Sequence, residues 1–127
     1  MELSNLGIPA TAVPVNVTSG LVANASAVAT LPAVAGKLNV IKGVIVSGAG
    51  ATLGFIATLT LAGLRDGTKI IPIAVPAGAL LGVGPHVITL PQAIEASDVN
   101  VAITATLSAF GAGNTSACVI AQGYLVG

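Results

Sequence analysis

Long charge-free stretches, interrupted by glycine and proline, constrain this sequence more than any other feature. Residues 43–64 contain no charged side chain and lie between Lys42 and Arg65. A helix that spans a bilayer needs about 20 predominantly apolar residues, so the stretch is long enough for one. Five glycines and four hydroxyl side chains interrupt it, however, and the glycine cluster at residues 47–51 is typical of a turn. We therefore expect a hairpin of two strands, not a membrane helix.

The lack of charge extends along the chain. Residues 3–36, 70–94 and 99–127 also contain no Asp, Glu, Lys or Arg, and only 6% of the 127 residues are charged, with zero net charge. A typical globular domain has about 25% charged residues. Four cations balanced by four anions do not form the basic surface that nucleic acid requires. We expect neither a nucleic-acid partner nor a membrane.

Short runs rich in Val, Ile and Thr predict seven or eight strands. The Asp66-Gly67 pair is the strongest hairpin signal, and it should join residues 55–61 to residues 69–75. Pro72 cannot donate to a ladder, which predicts a sheet edge or a bulge there. The other predicted strands cover residues 23–31, 39–46, 86–90, 99–108 and 116–126, with a connection at residues 92–98 after Pro91. The glycines predicted to allow turns are Gly48, Gly50, Gly67, Gly111 and Gly113.

This pattern predicts an all-β fold, a β-sandwich or jelly roll of about seven or eight antiparallel strands. Residues 19–127 would form that single domain, and residues 1–18 an extended N-terminal arm. The arm is either a frayed terminus or a segment that lies on a neighbouring subunit. We favour the second interpretation because the arm is apolar, with Leu3, Leu6, Ile8, Val13, Val15 and Val17.

Strand alternation indicates that both faces of the sheets are covered. Residues 101–107 place Val, Ile, Ala and Leu against Ala and Thr, where a solvated face would show Lys and Glu. The last strand is apolar on both faces, and Ile120, Tyr124 and Val126 are its candidate interface residues. Because monomers rarely expose large apolar patches, we expect a homo-oligomer. The alternative is that the Thr and Ala faces are bland and exposed.

Catalytic and metal-binding patterns are weak. His86 is the single histidine, so a hydrolytic triad has no second candidate base. Glu95 and Asp98 suit a cap or a solvated turn better than an acid–base pair. Cys118 is expected to be a small buried hydrophobe. We predict no enzyme activity, no metal and no cofactor. The N-terminus also shows no basic and apolar pattern of a signal peptide.

Several turns resemble those of a family of small virion proteins of tailed bacteriophages. The likeness spans about residues 27–126 and is carried by residues 29–37 (ATLPAVAGK), 48–52 (GAGAT), 75–78 (VPAG) and 109–115 (AFGAGNT). It implies a β-sandwich or jelly roll on the virion, most similar to capsid decoration (cement) proteins, which often form trimers.

The expected function is therefore that of a structural protein made in the host cytoplasm and located on the capsid surface. It would form homotrimers and bind the major capsid protein or another virion protein. The first alternative is a fibre or tail-tip β-sandwich module that binds a receptor or glycan. A membrane-embedded protein and an enzyme are the further alternatives.

Overall fold

The computed structural model describes residues 12–23, 25–49, 55–75, 83–109 and 116–127, which form an all-β protein. The described residues contain no helix long and apolar enough to span a membrane. The strands are rich in the β-branched residues that favour an extended backbone. The elements are β1 (Val13–Thr18), β2 (Ala27–Leu31), β3 (Leu38–Ala49), β4 (Phe55–Ala62), β5 (Lys69–Val75), β6 (Val83–Glu95), β7 (Ile103–Leu107) and β8 (Ser116–Val126).

The strands form two four-stranded antiparallel sheets. Sheet A has the order β1-β8-β3-β6, and sheet B has the order β2-β7-β4-β5. The pairing is nested, since β1 pairs with β8, β2 with β7, β3 with β6 and β4 with β5. An antiparallel ribbon wrapped into two layers produces this order, which is that of a jelly roll. The predicted fold class is confirmed.

The core lies between the two sheets and follows the two-residue period of each strand. In β7, Ile103, Ala105 and Leu107 are buried, while Thr104 and Thr106 are half-exposed on the opposite face. Complete burial of one large aliphatic side chain contributes about 2 kcal/mol. The largest apolar side chains in this core are Leu31, Ile41, Leu59, Leu61, Ile103 and Leu107.

Asn39 is the fully buried polar side chain among the described residues. Its Nδ2 donates hydrogen bonds to the carbonyl oxygens of Pro32, at 2.9 Å, and Val101, at 3.0 Å. The backbone carbonyl oxygen of Asn39 accepts a hydrogen bond from the amide of Ala96, whereas its side-chain Oδ1 has no hydrogen-bond partner among the described residues. Asn39 therefore joins the end of β2, the start of β3 and the segment before β7, which is why an amide is present inside an apolar core.

The predicted hairpin within residues 43–64 is wrong, although the rejection of a helix is correct for the part described. β3 pairs with β6 and β8 in sheet A, whereas β4 pairs with β5 and β7 in sheet B. The connection therefore crosses from one sheet to the other. Each strand buries its apolar face against the opposite sheet. Strand pairing therefore depends on this burial as well as on the turns between neighbouring segments.

The hairpin at Asp66-Gly67 is confirmed. β4 and β5 pair in continuous register from Leu61 and Lys69 outward. Gly67 has φ +92°, and its amide donates to the carbonyl of Leu64 at 3.1 Å. Pro72 is exposed on β5, an edge strand of sheet B, as predicted.

Pro91 does not end a strand, contrary to the prediction. β6 is an edge strand of sheet A, and its pairing with β3 is irregular, because Ile41 pairs with Ile94 but Gly43 pairs with Thr89. Pro91 lies between these two contacts. An edge position with a bulge tolerates a residue that has no N–H to donate. The predicted connection after Pro91 therefore begins with strand residues.

Two strands are shorter than predicted. β7 begins at Ile103, because Val99 and Asn100 form a turn in which Asn100 has φ +60°. β2 begins at Ala27, after an irregular segment in which Val22 makes an isolated bridge to Ala117.

The predicted arm is wrong for its last six residues. Residues 13–18 form β1, which is hydrogen-bonded to β8 at the edge of sheet A. Val15 and Val17 pack against the core, while Val13 is 55% exposed. The domain therefore begins before the predicted boundary at residue 19. Leu3, Leu6 and Ile8 lie outside the described residues.

One predicted turn glycine is a strand residue. Gly48 lies in β3, where it pairs with Val83 and Ala117. β3 continues through Gly48 because it has a partner strand on both sides. Gly67 is a turn glycine as predicted. Gly50, Gly111 and Gly113 lie outside the described residues.

Candidate functional surfaces

The side chains weighed for catalysis are dispersed. No group of three or more His, Cys, Asp or Glu side chains is close enough to hold a metal ion within the described ranges. Glu95 forms an ion pair with Arg65, with Oε2 3.3 Å from the guanidinium nitrogen, and both side chains are about half exposed. Asp98 accepts a hydrogen bond from the amide of Val99 at 2.7 Å, which is a local turn contact.

His86 and Cys118 lie in different strands of sheet A. His86 is in β6, opposite Val46 of β3. Cys118 is half-buried, not fully buried as predicted, and its Sγ lies 3.5 Å from the hydroxyl of Thr18. Cys118 is only partly covered because it alternates with the core residues Ala117 and Val119 on β8.

The outer face of sheet B, which we call the threonine face, is made of uncharged side chains. One row crosses all four strands and consists of Val28, Thr106, Thr60 and Ile70. The other members are Thr30, Ile56, Thr58, Ala62, Pro72 and Thr104. The face therefore presents methyl and hydroxyl groups to its surroundings, with no ammonium or carboxylate among them.

The threonine face is regular because the strand pairs of sheet B show no register shift among the described residues. Strands lie about 4.8 Å apart and same-face residues about 7 Å apart, so four strands cover a planar area of roughly 300 Å². Ile56 and Ile70 are 62% and 65% exposed, and Val28 is 45% exposed. The face is a continuous apolar surface that no described part of the chain covers.

Ser108 extends this sheet beyond the end of β7. Its amide donates to the carbonyl of Thr58, and its hydroxyl accepts from the amide of Thr58, both at 2.9 Å. Ser19 does the same for β1 in sheet A, where its hydroxyl accepts from the amide of Val119 at 3.0 Å. These serines keep the strand ends paired where the ladder stops.

The outer face of sheet A is less regular. Its first row, Thr18, Ile120, Ile45 and Val87, resembles the threonine face. Its next row is polar and consists of Asn16, Gln122, Gly43 and Thr89. Between Ile41 and Gly43 the register of β3 against β8 shifts, so that Lys42 is an extra residue without a cross-strand partner. This β-bulge interrupts the sheet beside the polar row.

A cleft of about 270 Å³ lies at the bulge and is lined by residues from all four strands of sheet A. Gly43 of β3 and Gly123 of the neighbouring strand β8 both line this cleft. A Cβ on Gly123 would lie 2.1 Å from the carbonyl oxygen of Val40, so the backbones approach too closely for any side chain there. Asn16, Lys42, Thr89 and Gln122 line the cleft around these glycines.

The predicted interface strand β8 lies inside sheet A, between β1 and β3. Ile120 is half-buried in the first row of the outer face. Tyr124 is only 8% exposed, and it pairs with Val40 beyond the bulge. Tyr124 and Val126 line a second cleft of about 260 Å³ with Glu95 at its margin. Of the three predicted residues, Tyr124 is therefore covered mainly by its own chain.

Sequence reasoning missed the cleft and its side chains. In the sequence Lys42 flanks the apolar stretch, whereas in the structure it lies in the middle of β3. A single lysine inside the strand predicted over residues 39–46 is the available signal. The position of Gln122 beside Gly43 depends on strand pairing, which no local pattern contains.

No protein-family model matches this chain, and neither the curated proteins nor the solved structures contain a match to it.

Proposed function

We propose that this protein is a non-enzymatic structural protein of a tailed-bacteriophage virion, and that it decorates and stabilises the capsid as an oligomer. The expected partners are further copies of the chain, in a homotrimer, and the major capsid protein or another virion protein. The protein would be made in the host cytoplasm and assembled onto the capsid surface. The turn motifs that resemble those of capsid decoration proteins support this proposal.

The observation that carries the proposal is the uncharged threonine face. In a monomer, the sheet face that is exposed to water normally carries charged side chains, which alternate along each strand with the buried apolar ones. Here Ile56, Ile70 and Val28 are exposed among threonines instead. Apolar patches of a few hundred Å² are often functional, and protein association is one of their uses. Since the face bears no charge, a second uncharged surface can cover it without desolvating an ion.

The size of the face bears on how the protein assembles. A planar area of roughly 300 Å² is well below the 800 Å² per partner of a standard stable interface. The threonine face alone would therefore give a weak contact. On a capsid, many copies are held together, and several weak contacts then act as one strong attachment. The surface fits a protein that functions in an array.

The test is to place one positive charge on the threonine face. Thr60 lies at its centre, in the row shared by all four strands, and is half-exposed. Thr60→Lys should fold, because the lysine can extend into solvent, but it should weaken oligomerisation and capsid attachment by at least about tenfold. The measurements are sedimentation velocity at micromolar concentration and co-pelleting with capsids that lack the protein.

Thr18→Lys is the matched control, because Thr18 is exposed on the outer face of sheet A, on the opposite side of the sandwich. It should assemble as the native protein does. A native protein that remains monomeric and does not bind capsids would disprove the proposal. Equal behaviour of the two variants would exclude the threonine face as the assembly surface.

A second function is favoured by the cleft in sheet A. Asn16, Gln122 and Thr89 supply amide and hydroxyl groups of the kind that bind sugars and other polar ligands. A fibre or tail-tip module that binds a receptor or glycan would use such a site. A glycan array separates the two functions, because a decoration protein should give no specific signal.

A further inference from the structure

Lys42 is an unusual charge for this fold. β3 has neighbours on both sides, and Lys42 lies at its bulge in the middle of sheet A. The other charged side chains of the described chain are in turns or at strand ends, as Lys37, Arg65 and Glu95 illustrate. The ion pair found among the described residues joins Arg65 to Glu95 and leaves Lys42 out.

The surroundings of Lys42 are suited to an anion. Asn16 comes from β1, Gln122 from β8 and Thr89 from β6, and they line the same cleft as Lys42. The two amides and the hydroxyl can each donate a hydrogen bond to oxygen. A Cβ built on Gly43 would lie 3.9 Å from Oε1 of Gln122, so the side-chain amide of Gln122 lies beside Gly43, and a 180° rotation of this amide presents its NH2 as the donor. No acidic side chain is among the described residues that line the cleft.

The charge and the volume of the cleft indicate what charge and size its ligand should have. One ammonium group balances one negative charge, which matches a carboxylate better than a doubly charged phosphate. A volume of about 270 Å³ is at the lower limit of ordinary ligand pockets and accommodates one sugar ring or one acidic side chain. We infer that the bulge cleft of sheet A binds a carboxylate group, with Lys42 as its counter-ion and Asn16, Gln122 and Thr89 as hydrogen-bond donors.

Two sources of that carboxylate share the same chemistry. One is a free sugar acid, and the other is an Asp or Glu side chain of a protein partner. In both, the carboxylate would enter the cleft beside Lys42. A sugar acid would also place its hydroxyl groups near Asn16 and Thr89, whereas an acidic side chain would use the charge alone.

The experiment is a titration of the uniformly ¹⁵N-labelled full chain, followed by NMR, with glucuronate, with N-acetyl-glutamate amide and with glucose. We expect saturable shifts for the amides of Gly43 and Gly123 and for the side-chain amides of Asn16 and Gln122. The carboxylate ligands should bind with a Kd on the order of 1 mM, and glucose should bind at least about tenfold more weakly. Tighter binding of glucuronate identifies a sugar acid, and equal binding of the two carboxylates identifies an acidic side chain.

Lys42→Met should lower the affinity for both carboxylates about tenfold, since it removes the charge but keeps the length of the side chain. Lys69→Met, on sheet B, is the matched control and should bind as the native protein does. Should Lys42→Met fail to fold, Asn16→Ala on the exposed edge strand should still weaken binding several-fold. Absence of saturable shifts at about 50 mM of either carboxylate, or equal binding of glucose, would overturn the inference.

Discussion

The outer faces of the two sheets are built from similar residues but form different surfaces. Sheet B presents the flat threonine face, where Val28, Thr106, Thr60 and Ile70 follow one another across the strands. Sheet A begins with a comparable row but is then interrupted by the bulge at Lys42. The difference is therefore one of backbone regularity as well as side-chain chemistry.

A flat face and a cleft recognise different partners. A flat apolar face excludes water only when a second flat surface covers it, so its contribution grows with area. A cleft holds a single protruding group, and its specificity comes from a few polar atoms. One charge-poor chain can therefore associate through sheet B and recognise a ligand through sheet A. Four predictions test this division, in order of decreasing effect.

The largest effect is expected for Gly123→Ala, at the close approach of β8 and β3 beside the cleft of sheet A. The new Cβ would lie 2.1 Å from the carbonyl oxygen of Val40, so β8 and β3 would have to separate. We expect a loss of about 3 kcal/mol in the free energy of unfolding, measured by urea denaturation with circular dichroism. Gly36→Ala is the control. It meets no atom within 4 Å and pays only for its φ of +73°, about 1 kcal/mol. Equal losses would show that the close approach is unimportant.

Asn39→Ala tests the polar group that lies between the two sheets, as distinct from those on the outer faces. It would leave the carbonyl oxygens of Pro32 and Val101 without their donor. The expected loss is about 2 kcal/mol in the free energy of unfolding. Asn16→Ala, on the exposed side of β1, should change stability by less than about 0.5 kcal/mol. A similar cost for both would mean that the buried amide does not hold the sheets together.

Thr60→Val and Thr60→Ser ask which part of the threonine side chain matters. If association buries methyl groups, Ser should weaken self-association about fourfold, the equivalent of one lost methyl group. Val should strengthen self-association by a similar factor. The measurement is the dissociation constant from sedimentation equilibrium. The opposite order would show that the hydroxyl groups make hydrogen bonds across the interface.

The smallest effect is expected from salt, and it should differ between the two faces. Self-association through the threonine face should change less than about twofold when sodium chloride rises from about 0.05 M to about 0.5 M. Carboxylate binding at Lys42 should become several-fold weaker over the same range, because the ions screen its charge. Strong salt dependence of self-association would place a charge pair in that interface.

Prediction from the sequence succeeded where a local pattern specifies local geometry. The Asp66-Gly67 pair specifies a tight turn, and the alternation in β7 specifies which residues are buried. It failed where geometry depends on distant strands. Gly48 and Pro91 are residue types that usually end strands, yet both lie within strands here. β3 continues through Gly48 because it has a partner strand on each side, and β6 accommodates Pro91 because it is an edge strand.

The sequence by itself determined the all-β class, the apolar core and the scarcity of charge on the strand faces. These follow from residue type and a two-residue period, which each strand carries alone. Only the tertiary structure decided that β3 and β4 lie in different sheets and that residues 13–18 complete one of them. It also brought Asn16, Lys42, Thr89 and Gln122 to one cleft. Pairing depends on which surfaces bury each other, and that choice is made between segments far apart in the chain.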